Sequence, residues 1–357
     1  MAERFSNLVD LCDKSCAKYA ERPLYGTKRD GEWQWTSYRE FHELVDHFRG
    51  GLATLGVQKG DRVAIISDNR VEWAVAAYAT YGLEAAFVPM YQAQRSEERR
   101  FILEDCGAKV AIVAGDEIYA SVVSMKLPEL AHVVGLDRPA SDPTSFRALL
   151  EVGARAPVAA RDPDPRSIAD FVYTSGTTGK PKGVLLSHDN ITSNVNGVHQ
   201  IFTFEPDDRS LAFLPWAHAY GQTCEVHGLF SMGCSVAIND DLANLLTNLA
   251  EVKPTILIAV PRIFNRIYEG VNKQIAQRPG FLQRIIRTGI LGAAKRARGE
   301  PLGTIERIEL AFDEKAVFSM VRARFGARLK YAISASATLG REVAYFVDAL
   351  GITVYEG

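Results

Sequence analysis

A chain of 357 residues, 47% hydrophobic and 24% charged, is long enough to bury two apolar cores as a globular protein. Its formal net charge of −2 excludes the broad basic footprint that nucleic-acid binding needs. The five cysteines, Cys12, Cys16, Cys106, Cys224 and Cys234, lack the paired spacings of a zinc site or a disulfide framework, and the amino terminus lacks the apolar core of a secretory signal, so a reducing cytoplasm is the expected compartment.

In chain order, a helical pattern covers 37–55 and a β-branched run covers 63–67. The longest apolar stretch, 73–90, is broken by Glu84 and holds Gly82 and Pro89, which suits a buried helix followed by a strand rather than a membrane span. A strand is expected at 110–114, and the Pro-, Asp- and Ala-rich segment 137–166 reads as a solvent-side connection. Further strands are expected at 171–174, 183–187, 210–214, 256–260, 330–334 and 352–355, with helices at 189–201, 261–275 and 340–350. Alternating strands and helices predict doubly wound α/β sheets covered on both faces. We expect two such subdomains, at 1–187 and 188–357. The basic amphipathic segment 281–298 would place Phe281, Ile285, Ile286, Ile290 and Ala293 on one helical side, suited either to core packing or to an anionic membrane surface.

The segment Tyr173-Thr-Ser-Gly-Thr-Thr-Gly-Lys-Pro-Lys-Gly183 is the most informative in the chain. Gly176, Gly179 and Gly183 would let the backbone turn through positive φ and approach oxygen anions. Thr174, Ser175, Thr177 and Thr178 supply hydroxyl donors, while Lys180 and Lys182 supply positive charge. Pro181 follows Lys180 where a Walker loop needs Ser or Thr, and the apolar stretch after Gly183 reads as a strand, so the loop should join two strands. Ser187-His188-Asp189 holds all three residue types of a hydrolase triad, but sequence neighbours cannot form that geometry and no G-x-S-x-G elbow is present. Ser187 reads instead as a helix N-cap.

The 173–183 string resembles the phosphate loop of the adenylate-forming acyl-CoA synthetases, and other stretches agree with it. Val260–Val271 is similar to a diagnostic segment of long-chain fatty acid CoA ligases. Leu214–Gly221 is similar to the segment lining their acyl pocket, and Ala349–Gly357 to the strand entering their adenine and magnesium site. Lys59–Ile65 with Asn69–Trp73 is also typical of that family. The resemblance implies two α/β subdomains and a reaction in which a fatty-acid carboxylate attacks the α-phosphorus of ATP, releasing pyrophosphate, before coenzyme A takes the acyl group and AMP leaves. Because the substrate is itself the nucleophile, such catalysis consists of positioning and charge stabilisation.

By the same resemblance, Thr174, Ser175, Gly176, Thr177, Thr178, Gly179 and Lys182 would hold the phosphates, with Thr174 or Thr177 helping to ligate Mg²⁺. His218 would sit near the carboxylate and the α-phosphate, and Lys182 would share the charge stabilisation. Tyr220, Gly221 and Gln222 would line the acyl channel, while Ser336, Ala337, Glu356 and Gly357 would approach the adenine. Two departures stand out. Ser334-Ala-Ser-Ala337 replaces a glycine-bearing element, and Gly221 stands where long-chain enzymes often place Glu, an arrangement nearer to aryl and luciferase-type members. The chain stops before the family's Tyr-Gly-x-Thr-Glu element and mobile C-terminal domain, so the expectation is an amino-terminal region with little adenylation activity alone. Alternatives are a non-catalytic nucleotide- or acyl-binding module, a fatty acyl-AMP ligase, and an ADP-releasing ATPase, the last disfavoured by the failed Walker pattern.

Overall fold

The computed structural model describes residues 4–175 and 180–277, scattered residues between 279 and 323, then 325–335 and 337–356. The chain divides into two compact units, one formed by 1–207 with 215–238 and the other by 208–214 with 239–357. This division differs from the expected boundary at residue 187 because the chain after the loop returns to the first unit as a helix and supplies it with a further strand.

In the first unit, strands β3 (Arg62–Ile66), β4 (Ala86–Met90), β5 (Val110–Val113), β6 (His132–Gly135), β7 (Ile168–Thr174) and β8 (Lys182–Ser187) form a sheet of order β6-β5-β3-β4-β7-β8. All neighbours pair in parallel except β8, which returns antiparallel to β7. Strands β4 and β5 are buried along their whole length, which is why their sequences read as continuous apolar runs. Helix α3 (Val71–Tyr81) connects β3 to β4, and α4 (Ser96–Asp105) then carries the chain back across β3 to β5. The chain therefore winds outward in both directions from β3 and β4, as expected of a doubly wound sheet, and ligand crevices of such sheets open at the carboxyl ends of the strands.

A second sheet of this unit contains β2 (Glu32–Ser37), β1 (Pro23–Arg29) and β10 (Ser235–Ile238) in that order. The turn between β1 and β2 puts Asp30 and Gly31 at positive φ, the geometry of a tight hairpin. Helix α2 (Tyr38–Thr54) opens with a capping box between Ser37 and Glu40. Helix α6 (Phe146–Arg155) lies inside the segment expected to be a solvent-side connection. It packs on α2 through glycines at 50, 51 and 153, and a Cβ at Gly153 would overlap the His47 carbonyl oxygen. Pro- and Asp-rich flanks hid this helix.

In the second unit, β11 (Ile256–Ala259), β12 (Tyr331–Ser334) and β13 (Thr353–Glu356) form a parallel sheet in chain order. Strand β9 (Arg209–Ala212) starts beside β11, where Arg209 N donates to Thr255 Oγ1 and Thr255 N donates to the Arg209 carbonyl. Helices Pro261–Ala276 and Arg341–Ala349 join these strands close to the expected positions and touch through Tyr268 and Phe346, whose ring centroids are 5.3 Å apart. Most of 281–298, including Ile285, Ile286, Ile290 and Ala293, lies outside the described residues, while Phe281 is exposed. Among the described residues no helix is long and apolar enough to cross a membrane, and all five cysteines carry free thiols.

Candidate functional site

The expected phosphate loop joins β7 to β8 as an antiparallel hairpin, with Thr174 opposite Lys182 and Tyr173 opposite Gly183. Its tip, Gly176, Thr177, Thr178 and Gly179, lies outside the described residues. On either side of that tip, Thr174, Ser175, Lys180 and Lys182 are exposed. Gly183, read from the sequence as a turn glycine, is instead a strand residue without positive φ. A Cβ there would lie 3.1 Å from the ring of Tyr173, so its small size serves the cross-strand approach of that ring. The Tyr173 hydroxyl donates to Asp105 Oδ2 at 2.6 Å, anchoring the hairpin to the end of α4. Burial, reinforced by this hydrogen bond, pushes the phenol pKa upward, which keeps Tyr173 a neutral donor.

Beyond the hairpin, Ser187 caps α7 (His188–Ile201) by accepting from Asn190 N, and Asn190 Oδ1 accepts from Ser187 N. His188 is buried, and desolvation lowers its pKa to about 4, while Asp189 is exposed. The Ser-His-Asp string is thus a helix start.

A cavity of about 590 Å³ opens at the carboxyl ends of β4 and β7. Tyr91, Gln94 and Glu98 line one side, Val172 to Ser175 and Pro181 line the hairpin side, and His218 with Ala219 completes the wall. Thr174, Ser175 and His218 are thereby brought together although 44 residues separate Thr174 from His218 in the sequence. His218 is exposed, and its Nδ1 accepts from Tyr220 N at 3.2 Å, which leaves Nε2 as the second ring nitrogen for a ligand. Tyr91, Gln94 and Glu98 were not singled out from the sequence. The polar stretch that follows the apolar run 86–90 was the available signal, because residues just past a parallel strand's carboxyl end face the crevice.

Of the residues expected to line the acyl channel, Tyr220 is half-buried, whereas Gly221 and Gln222 are buried. Gln222 starts a π-helix, Gln222–Leu229, and its side-chain amide is committed to the interior: Nε2 donates to Asp170 Oδ2 at 2.6 Å and to the Tyr81 hydroxyl at 3.2 Å. The Tyr81 hydroxyl in turn donates to Asp170 Oδ1 at 2.8 Å. Burial pushes the Asp170 carboxyl up to about 7, against the opposing effect of these two donors. The same π-helix buries Glu225, which accepts from Trp216 Nε1 at 2.9 Å and is pushed up to about 8 by desolvation. It also buries His227, whose Nδ1 lies 2.9 Å from the Tyr78 hydroxyl and whose pKa desolvation lowers to about 3. Widened helical turns of this kind recur beside functional sites.

In the second unit, Ser336 and Gly357 lie outside the described residues. Ala337 is exposed in a bend, and Glu356 ends β13, where its Oε1 accepts from Leu339 N at 2.7 Å. That bond draws the 337–339 turn and the end of β13 together. Among the described residues no three His, Cys, Asp or Glu side chains are arranged to hold a metal ion. The hydroxyl oxygen of Thr174 at the cavity wall fits a hard cation that is ligated mainly by a nucleotide's own phosphates.

The family model described as AMP-binding enzyme matches residues 12–357. Long-chain-fatty-acid–CoA ligase FadD15 of Mycobacterium tuberculosis is 31% identical over 349 residues, covering 94% of this chain and 57% of the relative. Fatty acyl-CoA synthetase B of Dictyostelium discoideum is 27% identical over 365 residues, covering 95% of this chain and 53% of the relative. The chain thus spans a little over half the length of these relatives. Among solved structures, the adenylation domain of a Mycobacterium chelonae carboxylate reductase superposes with a TM-score of 0.80 at 20% identity, covering 99% of this chain and 58% of that one. The N-terminal domain of FACL13 from Mycobacterium tuberculosis superposes with a TM-score of 0.71 at 21% identity, covering 99% of this chain and 76% of that one. At these identities the superpositions establish the fold, a mixed α/β adenylation-type amino-terminal domain. The family match over 12–357 shows that the chain belongs to the AMP-binding enzyme family.

Proposed function

We propose that the chain carries the nucleotide and acyl sites of an ATP-dependent long-chain fatty acid CoA ligase. One observation carries the reading most directly: Thr174 and Ser175 line the same cavity as His218, with Lys182 paired across the hairpin from Thr174. Hydroxyl residues on the wall, with a lysine on the neighbouring strand, suit phosphate oxygens. An imidazole on another wall suits the point where a carboxylate meets the α-phosphorus, since it can donate a hydrogen bond to developing negative charge. The long-chain ligases among the relatives support a fatty acid as the acid class.

In this reading Thr174, Ser175 and Lys182 hold the β and γ phosphates, and Thr174 contributes an oxygen to Mg²⁺. Bound there, Mg²⁺ would offset phosphate charge as pyrophosphate forms. His218 orients the fatty-acid carboxylate, and Tyr220 borders the acyl chain. Coenzyme A is the acyl acceptor. The test is incubation of the protein with palmitate, ATP, Mg²⁺ and coenzyme A. Saturable ATP binding with acid-dependent release of AMP and pyrophosphate is the expected result. Release of ADP, or ATP binding indifferent to Lys182→Ala and His218→Ala, would overturn the proposal.

A further inference from the structure

Two walls of the cavity are joined behind it by buried side chains. Asp170 stands on β7 four residues before Thr174, and Gln222 stands four residues after His218. Asp170 and Tyr81 are 0% exposed and Gln222 is 1% exposed. Within this interior the Gln222 amide donates to one carboxylate oxygen of Asp170 at 2.6 Å, and the Tyr81 hydroxyl donates to the other at 2.8 Å. The backbone N–H of Gln222 donates at 3.1 Å to the carbonyl of His218 itself. A continuous path therefore runs from Thr174 along β7 to Asp170, across to Gln222, and back to His218.

An apolar pair would hold these elements together at lower desolvation cost, because a buried carboxylate is expensive even when hydrogen-bonded. What an apolar pair lacks is direction. Carboxylate and amide meet in one geometry only, which fixes both the sliding of the π-helix along β7 and its rotation. The π-helical start supports this role, since the widened turn brings an inward-facing Gln222 directly after the residues that expose His218.

On the reading of the cavity as a nucleotide site, we infer that Asp170 and Gln222 are positioning residues that fix the distance and orientation of His218 relative to Thr174. Neither touches the cavity. They act through the backbone segments that present those two side chains.

The test uses the full chain and four proteins: wild type, Asp170→Asn, Gln222→Glu, and the double exchange. Gln222→Glu sets two carboxyl groups against each other, and Asp170→Asn keeps an acceptor for only one of the two donors, Tyr81 or Gln222, whereas the double exchange restores a donor–acceptor pair with its direction reversed, with the Tyr81 hydroxyl still able to donate. Imidazole signals of His218, assigned with His218→Gln in histidine-labelled protein, report geometry without any ligand. Titration with ATP and Mg²⁺ reports function. The expected result is displacement of the His218 signals in both single variants with about tenfold weaker ATP binding, and return of both readouts in the double exchange. Unmoved His218 signals in the single variants, or displaced signals in a folded double exchange, would overturn the inference. Should Asp170→Asn fail to fold, Gln222→Leu removes the same bond without placing a charge in the interior, and the same two readouts decide. A wild type that binds no ATP while the His218 signals follow the expected pattern would uphold the positional tie and refute the nucleotide reading instead.

Discussion

The two ends of strand β7 are six residues apart in sequence and opposite in chemistry. At its carboxyl end, Thr174 and the paired Lys182 are exposed polar groups whose donors are available to a ligand. Near its amino end, Asp170 is a fully buried carboxylate whose oxygens are both engaged, by Tyr81 and by Gln222. The contrast teaches a division of labour along one strand: the hairpin end can be spent on binding because the buried end holds the strand in place.

The largest expected effect lies at the buried end. Asp170→Ala should cost about 3 kcal/mol of stability, since it strands the Tyr81 and Gln222 donors in an apolar interior; denaturant unfolding followed by fluorescence reads it directly. A loss below about 1 kcal/mol would mean that water or rearrangement replaces the carboxylate, and the contrast would fail.

Next in size is a pH effect from Glu225. Its folded-state pKa of about 8 lies above the ordinary 4.5, so its contribution to stability is complete below the lower value and is lost as pH rises through the higher one. His188 and His227 have lowered values of about 4 and about 3, so their contribution is present at neutral pH and is lost only as pH falls through those values. Between pH 6.5 and 8 the carboxyl groups therefore set the slope. Glu225→Gln should flatten the fall in unfolding free energy over that range by on the order of 1 kcal/mol per pH unit, while keeping an acceptor for Trp216 Nε1. Parallel curves of unfolding free energy for the two proteins across the range would contradict this assignment.

Smaller again is Tyr173→Phe, which removes the hydroxyl donated to Asp105 and should cost about 1 kcal/mol by the same unfolding measurement. Smallest for stability, within about 0.5 kcal/mol of wild type, is Lys182→Ala, because an exposed lysine contributes little to the fold. That substitution should nevertheless weaken ATP binding about tenfold, as expected for one charge-assisted contact to phosphate. A variant with the reverse profile would erase the distinction between the two ends.

The same contrast explains what could be read from the sequence. The hairpin was legible because glycine, hydroxyl and lysine side chains in one run match a loop that meets anions, and the strands on either side followed from their β-branched residues. Ser187 was legible as a cap because a helical pattern follows it, and in the structure it accepts from Asn190 N. Asp170 was not. An acid in the run 168–174 looks like the edge of a strand, and the expected strand began at Phe171; in the structure β7 starts at Ile168. The groups that satisfy Asp170 lie 89 and 52 residues away, a distance no local pattern reveals. Gln222 was assigned to the acyl channel by resemblance, because its inward partner Asp170 was not visible in the sequence. Helix α6 was missed because its Pro- and Asp-rich flanks read as a connection, although its apolar side packs on α2, with Phe146 stacked on Phe48.

The most direct test of the central claim is calorimetric titration of ATP with Mg²⁺ into the wild-type chain and into Lys182→Ala, with melting temperatures measured alongside. The account predicts saturable binding by wild type, about tenfold weaker binding by the variant, and unchanged melting temperature. Absent binding in wild type, or equal binding in the two proteins, would contradict the assignment of the β7–β8 hairpin as a phosphate site.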